Sequence, residues 1–210
     1  MDVFSYLPWE SLLPFLIACA VIESTPGPNM AFLTIVSATK GRKYGFAMVM
    51  GVTLGLLIIG FAAAAGLATT ISKSPILYQA LRFGGVFYLL WLAFEEWKDA
   101  DGALNAETGE TQDRLSYFQH GLVVNILNPK AGVFYITILP SFINPAGLIL
   151  PQALFLTLIY VAIATLAHIL IVSLAGLLQP ILDNPARKRV IRRVLSALLA
   201  MIALWFGFSA

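Results

Sequence analysis

Apolar residues run along this chain in six long stretches, roughly 11–37, 45–70, 75–95, 117–142, 150–178 and 190–208, with short polar segments between them. About 20 apolar residues in helical form cross ~30 Å of hydrocarbon, so each stretch predicts a membrane-spanning helix. No Asp, Glu, Lys or Arg occurs from Ala131 to Leu182, which is too long for one crossing. Pro140, Asn144, Pro145, Gly147 and Pro151 mark the reversal between the fourth and fifth spans. Arg82 interrupts the third stretch, and Arg192 and Arg193 crowd the start of the sixth.

Composition agrees with this pattern. Apolar residues make up 59% of the chain and charged residues 11%, against about 25% charged in soluble domains, and mean hydropathy is +0.85. The expected class is an all-α membrane protein with the lipid bilayer as its surroundings. A net charge of +2 gives no basis for a nucleic-acid partner. Cys19 is the only cysteine, so no internal disulfide forms, and it reads as a small residue of the core or the lipid face. The start of the chain lacks the basic segment of a cleaved leader and is read as part of the first span.

Placement of the basic residues sets the orientation, because short loops rich in Lys and Arg stay cytoplasmic. Ten of the 13 fall after spans one, three and five: Lys40, Arg42, Lys43, Lys98, Arg114, Arg187, Lys188, Arg189, Arg192 and Arg193. Lys73 alone lies in a loop on the other side, while Arg82 and Lys130 are within spans. Both termini are expected outside the cytoplasm. Residues 98–116 are polar and acidic and read as a mobile cytoplasmic linker. They divide a single transporter domain, 1–210, into three-helix halves, 1–97 and 117–210. Trp9, Trp97 and Trp205 fall near span ends, as interfacial anchors or as ordinary packed aromatics.

Two spans contain helix breakers near their middle. Counting ~1.5 Å per residue from Leu12, Glu23 lies about 16 Å into the first span, just before Pro26, Gly27, Pro28 and Asn29. In the fourth span Pro129 and Lys130 lie about 18–20 Å in from Tyr117, after Asn125 and Asn128. A proline lacks an N–H and clashes with the carbonyl four residues back, so Pro26, Pro28 and Pro129 are expected to free the carbonyls of Ile22, Ser24 and Asn125. Free carbonyls must face protein or water rather than lipid. Three spans per half make the halves run in opposite senses, so the expected architecture is two inverted three-helix repeats with broken first and fourth helices. Breaks at corresponding places in such repeats point to a transporter's midplane site.

The chemistry of such a site follows from its charges. Half-helices starting after Pro28 and Pro129 present N–H groups and a positive dipole end suited to a carboxylate, and Lys130 adds a full charge. Glu23 and the freed carbonyls suit an ammonium group or a proton. Together they fit a small zwitterion. Other readings stay open: the prolines as packing kinks, Glu23 and Lys130 as a structural pair, His168 as a proton relay or as a hydrogen-bonded interhelix residue. Gly51 and Gly55 form a GxxxG that close helix packing explains. The sequence holds no HExxH, GxSxG, Walker loop or metal-spaced Cys/His set, so no catalytic residue, cofactor or metal is expected and a gradient must drive any transport.

The segments "TPGPNM", "GRKYGFAMVMGVTLGLLIIG", "LRFGGVFYLLWLAFEEWK" and "FQHGLVVNILNPKAGVFYITILPSF" together resemble the LysE/RhtB family of amino-acid exporters. The resemblance implies a six-span inner-membrane protein that expels amino acids or their derivatives, by exchange with protons, and leaves room for a homodimer. Pro26, Gly27, Pro28 and Asn29 match the first signature, and Asn125, Asn128, Pro129 and Lys130 the second. Two other classes remain: an ion or metal exporter, which would need more carboxylate, Cys, Met or His ligands within the spans, and a membrane scaffold without a transport cycle.

Overall fold

The computed structural model describes residues 9–25, 27–66, 75–102, 113–144, 146–177 and 185–208. Expectations for Pro26, Lys73, Pro145, linker positions 103–112 and the side chains of Trp9 and Arg82 lie outside them. The described residues are helical: α1 Trp9–Ser24, α2 Pro28–Thr39, α3 Arg42–Ala64, α4 Pro75–Gly102, α5 Arg114–Ile126, α6 Pro129–Val133, α7 Ile149–Ala175 and α8 Pro185–Phe208. A π turn, Phe134–Ile138, and a 3-10 turn, Leu139–Phe142, extend α6.

The six apolar stretches appear as six helical lengths, the first and fourth broken. Helices α3 and α7 are each long and apolar enough to cross a membrane, and the α1–α2 and α5–α6 pairs qualify if each bent pair counts as one span. The bends are 56° and 47°. Helices α4 and α8 are 28 and 24 residues long. Helix α4 runs to Gly102, five residues into the expected linker, because nothing before that glycine breaks it.

Large apolar side chains cover the outside at helical spacing. Leu13, Ile17 and Val21 line α1, Met50, Leu54 and Ile58 line α3, Leu166, Leu170 and Leu174 line α7, and Val190, Val194, Leu198 and Met201 line α8. Exposed stripes of this extent suit hydrocarbon rather than water. Cys19 is fully buried beside Phe15 and Phe134, so of its two expected places it takes the core.

The helices α3 and α5 pack most extensively, with α3 also against α7, α2 among α3, α7 and α8, and α4 against α8. Small residues allow the α3–α5 approach. A Cβ on Gly51 would strike the Phe118 carbonyl oxygen, and one on Gly121 the Met48 carbonyl oxygen. At the basic end, Gly41 turns the chain from α2 into α3 with φ 104°, a conformation that favours glycine. Arg42 Nη2 there donates to the Ser173 carbonyl near the end of α7, at 2.8 Å.

Gly51→Ala and Gly121→Ala are expected to destabilise the protein by about 1–3 kcal/mol, the usual scale of overpacking. Gly84→Ala, with open space around its Cβ, is expected to be neutral or stabilising. Thermal unfolding in detergent compares the three, and equal midpoints would remove the packing argument.

Candidate functional site

The two helix breaks meet. Lys130, in the first turn of α6, reaches across to α1 and donates from Nζ to the Thr25 carbonyl at 2.9 Å. Its Nζ is 3.8 Å from Glu23 Oε1, close enough for charge attraction but too long for a hydrogen bond. Gly27 is extended (φ −148°), so its value here is space: a Cβ would already touch the Lys130 stem, 3.4 Å away.

The backbone at the breaks differs from the sequence expectation. The Ile22 carbonyl accepts from the Thr25 N–H at 3.0 Å, and the Asn125 carbonyl from the Asn128 N–H at 3.0 Å. Tightened last turns thus satisfy two of the carbonyls expected to be free, and it is the Thr25 carbonyl that takes the lysine. The helix starts differ as well. Gly27 caps α2 without a side chain, leaving first-turn N–H groups facing the break. Asn128 caps α6 with its own side chain, Oδ1 accepting from the Lys130 N–H at 3.0 Å. Asn128 was expected to contact substrate; its Oδ1 caps the helix end, and the residue also lines the cavity between the breaks.

Helix α7 supplies the far wall, and here sequence reading missed a residue. The Tyr160 hydroxyl donates to Glu23 Oε1 at 2.9 Å. Phe134 stacks on the Tyr160 ring, centroids 3.6 Å apart and planes 19° from parallel, which fixes the hydroxyl in place. His168 Nε2 lies 3.7 Å from Glu23 Oε2. Tyr160, Ala164 and His168 share the buried face of α7 at four-residue spacing, and that stripe is the signal that could have drawn Tyr160 in.

Asn29 Nδ2 donates to Asn125 Oδ1 at 2.7 Å, joining the first broken span to the fourth. Gly55 makes room for this pair, since a Cβ there would press within 2.9 Å of Asn125 Nδ2. Glu23, Gly27, Asn29, Asn125, Asn128, Lys130, Tyr160 and His168 all line one cavity. Its volume is about 10 Å³, near that of a single water position, so the site is closed around its own side chains. A second cavity of about 230 Å³ lies near the opposite end of α3 from Arg42, between Gly60, Ala63, Tyr135, Leu139 and Ala153. Tyr135 lines the second cavity, and its hydroxyl donates to the carbonyl of Leu56, a residue lining the first, at 3.0 Å.

Asn128→Ala is expected to cost about 1 kcal/mol through loss of the cap, and Asn128→Ser to recover much of it. Thermal midpoints of the purified variants test this. Equal stability of Asn128→Ala and the parent would show that the cap carries no load.

Comparison with known proteins follows the same lines. The family model described as LysE type translocator matches residues 20–210. The homoserine/homoserine lactone efflux protein of Salmonella typhi is 26% identical over 197 residues, covering 93% of this chain and 95% of that protein. The protein of the same description from Salmonella typhimurium strain LT2 is 25% identical over the same shares. No solved structure matches the chain.

Proposed function

The chain belongs to the LysE type translocator family, a multi-pass membrane protein, and on that premise we propose that it exports small zwitterionic amino acids or their derivatives by exchange with protons. The observation that carries this reading is the meeting of two broken spans around one lysine and one carboxylate. Each intramembrane charge costs roughly 2.5–3.5 kcal/mol even on lenient scales, and the breaks leave backbone groups beside them. A substrate carboxylate takes Lys130 and the uncapped start of α2, while the ammonium group takes Glu23 and the Thr25 carbonyl. Lysine and amides mixed with a single carboxylate suit a zwitterion better than a metal ion.

Export couples to protons through Glu23. With the site empty, Lys130 lies beside it; when substrate carboxylate draws Lys130 away, Glu23 loses its countercharge and becomes free to take a proton. His168, beside the other carboxylate oxygen, is the second group on this path. The two halves work as inverted repeats. Contacts of α3 with α7 and of α4 with α8 support this, since each helix meets its counterpart in the other half.

Proton-gradient-driven amino-acid flux in vesicles tests the site, with variant amounts in the membrane equalised. Glu23→Gln is expected to lose gradient-driven flux but keep substrate exchange, and Lys130→Met to lose affinity for the carboxylate. If each single variant fails to insert and the double variant transports normally, the charges are a structural pair and the assignment fails.

The protein lies in the inner membrane with both termini outside and its basic loops in the cytoplasm. A single cysteine at exposed Ala186, in a Cys19→Ser background, is expected to resist an impermeant thiol reagent until cells are lysed. Strong labelling of intact cells would reverse the orientation.

A further inference from the structure

Tyr135 stands against both cavities. Its hydroxyl donates to the Leu56 carbonyl at 3.0 Å, and its ring meets that of Tyr160 edge to face, centroids 5.6 Å apart and planes at 82°. Leu56 and Tyr160 line the small cavity at the helix breaks, while Tyr135 itself lines the large one. Gly60 clears the place the hydroxyl occupies, since a Cβ there would lie 2.8 Å from Tyr135 Oη and would also strike Thr157 Cγ2. Thr157 is therefore a neighbour of Tyr135. It lies one turn before Tyr160 on the buried face of α7, 0% exposed, with its hydroxyl oxygen buried and unpartnered. Such a group destabilises the closed fold by about 1–3 kcal/mol.

The backbone at Tyr135 is built to shift. The residue lies in the π turn Phe134–Ile138, which closes its hydrogen bond one residue further along than an α-helix, and such turns are frequent at functional sites. Passing the extra residue along the helix turns a side chain about the axis by about 100°, the angle per residue at 3.6 residues per turn. The large cavity, for its part, suits release. Its volume is about 230 Å³, its walls include Gly60, Ala63, Leu139, Ile149 and Ala153, and none of the described residues lining it is charged. A zwitterion finds nothing there to hold its ends, and a transport path needs a stage that binds weakly enough for its cargo to leave.

We propose that the large cavity is the exit chamber for the exported zwitterion and that Tyr135 is the gate between it and the site at the helix breaks. This rests on the export reading and the orientation given above, which put this end of α3 outside. With the gate shut, Tyr135 is tied to Leu56 and packed on Tyr160, whose hydroxyl donates to Glu23. A substrate ammonium group that takes Glu23 competes with that hydroxyl, which links occupancy of the site to the gate. When the Tyr135 ring swings away, the Thr157 hydroxyl becomes a polar wall of the opening, and the apolar chamber beyond it does not retain the substrate.

Cysteine accessibility tests the gate without any substrate. In a Cys19→Ser background, Ala63→Cys is expected to react with an impermeant thiol reagent added to intact cells, and Leu56→Cys to resist it. Adding Tyr135→Phe, which removes only the tether, is expected to raise the rate at Leu56→Cys roughly fivefold, the scale of one neutral hydrogen bond, and Tyr135→Ala to raise it further. Tyr135→Phe keeps the ring, so the comparison survives if Tyr135→Ala fails to fold. An Ala63→Cys variant that does not react in intact cells overturns the exit chamber, and a Leu56→Cys rate unchanged by Tyr135→Phe and by folded Tyr135→Ala overturns the gate. Labelled Ala63→Cys is also expected to lose amino-acid export, and full export after labelling overturns the exit role. If the parent moves no amino acid at all, the export reading fails and the exit role with it; labelling is read without flux, so that failure is told apart from a failure of the gate.

Discussion

Hydrocarbon offers no hydrogen-bond partners, and a helix broken inside it must find them within the protein. That constraint organises the structure around the contact between Lys130 and the Thr25 carbonyl. The first break supplies an oxygen and a carboxylate, and the second supplies the cation that answers both. With the two breaks held together, α7 closes over them with Tyr160 and His168. Close packing through Gly51, Gly121 and Gly55 then brings α5, and Asn125 with it, within reach of Asn29.

The site combines firmly held and loosely held groups. Tyr160 is clamped by Phe134, and the start of α6 is capped by Asn128. By contrast, Lys130 stands 3.8 Å from Glu23, the start of α2 has no side-chain cap, and the asparagine pair leaves a donor and an acceptor over. The loosely held groups are the ones a zwitterion would take over. With a cavity of about 10 Å³, far below the ~300 Å³ or more of ordinary ligand pockets, the site is closed, and the proposed function requires it to open. The larger cavity, lined in part by Tyr135, lies near the opposite end of α3 from Arg42.

Much of this was legible in the chain. Apolar run lengths gave the helical segments and their order, because crossing length and helical rise are fixed quantities. Glu23, Lys130 and the proline motifs stood out because charges and missing N–H groups are costly in an apolar run, and counting residues put both breaks at one depth. GxxxG spacing in α3 showed where a neighbouring helix would come close.

What sequence spacing cannot express is which group satisfies which. Proline chemistry marks carbonyls at risk, but the local turn decides that Ile22 and Asn125 are satisfied by nearby N–H groups and that Thr25 takes Lys130. Asn128 reads as a polar residue beside a proline, and only the backbone direction makes it a helix cap. Tyr160 reads as one aromatic among many in α7, and it becomes part of the site because Phe134, far away in the chain, orients its ring toward Glu23. The sequence alone determined where apolar length and costly polar groups lie, since those are local properties of the residues; their pairing was decided by tertiary structure, because hydrogen bonds and charge contacts depend on distance and direction between helices remote in the chain.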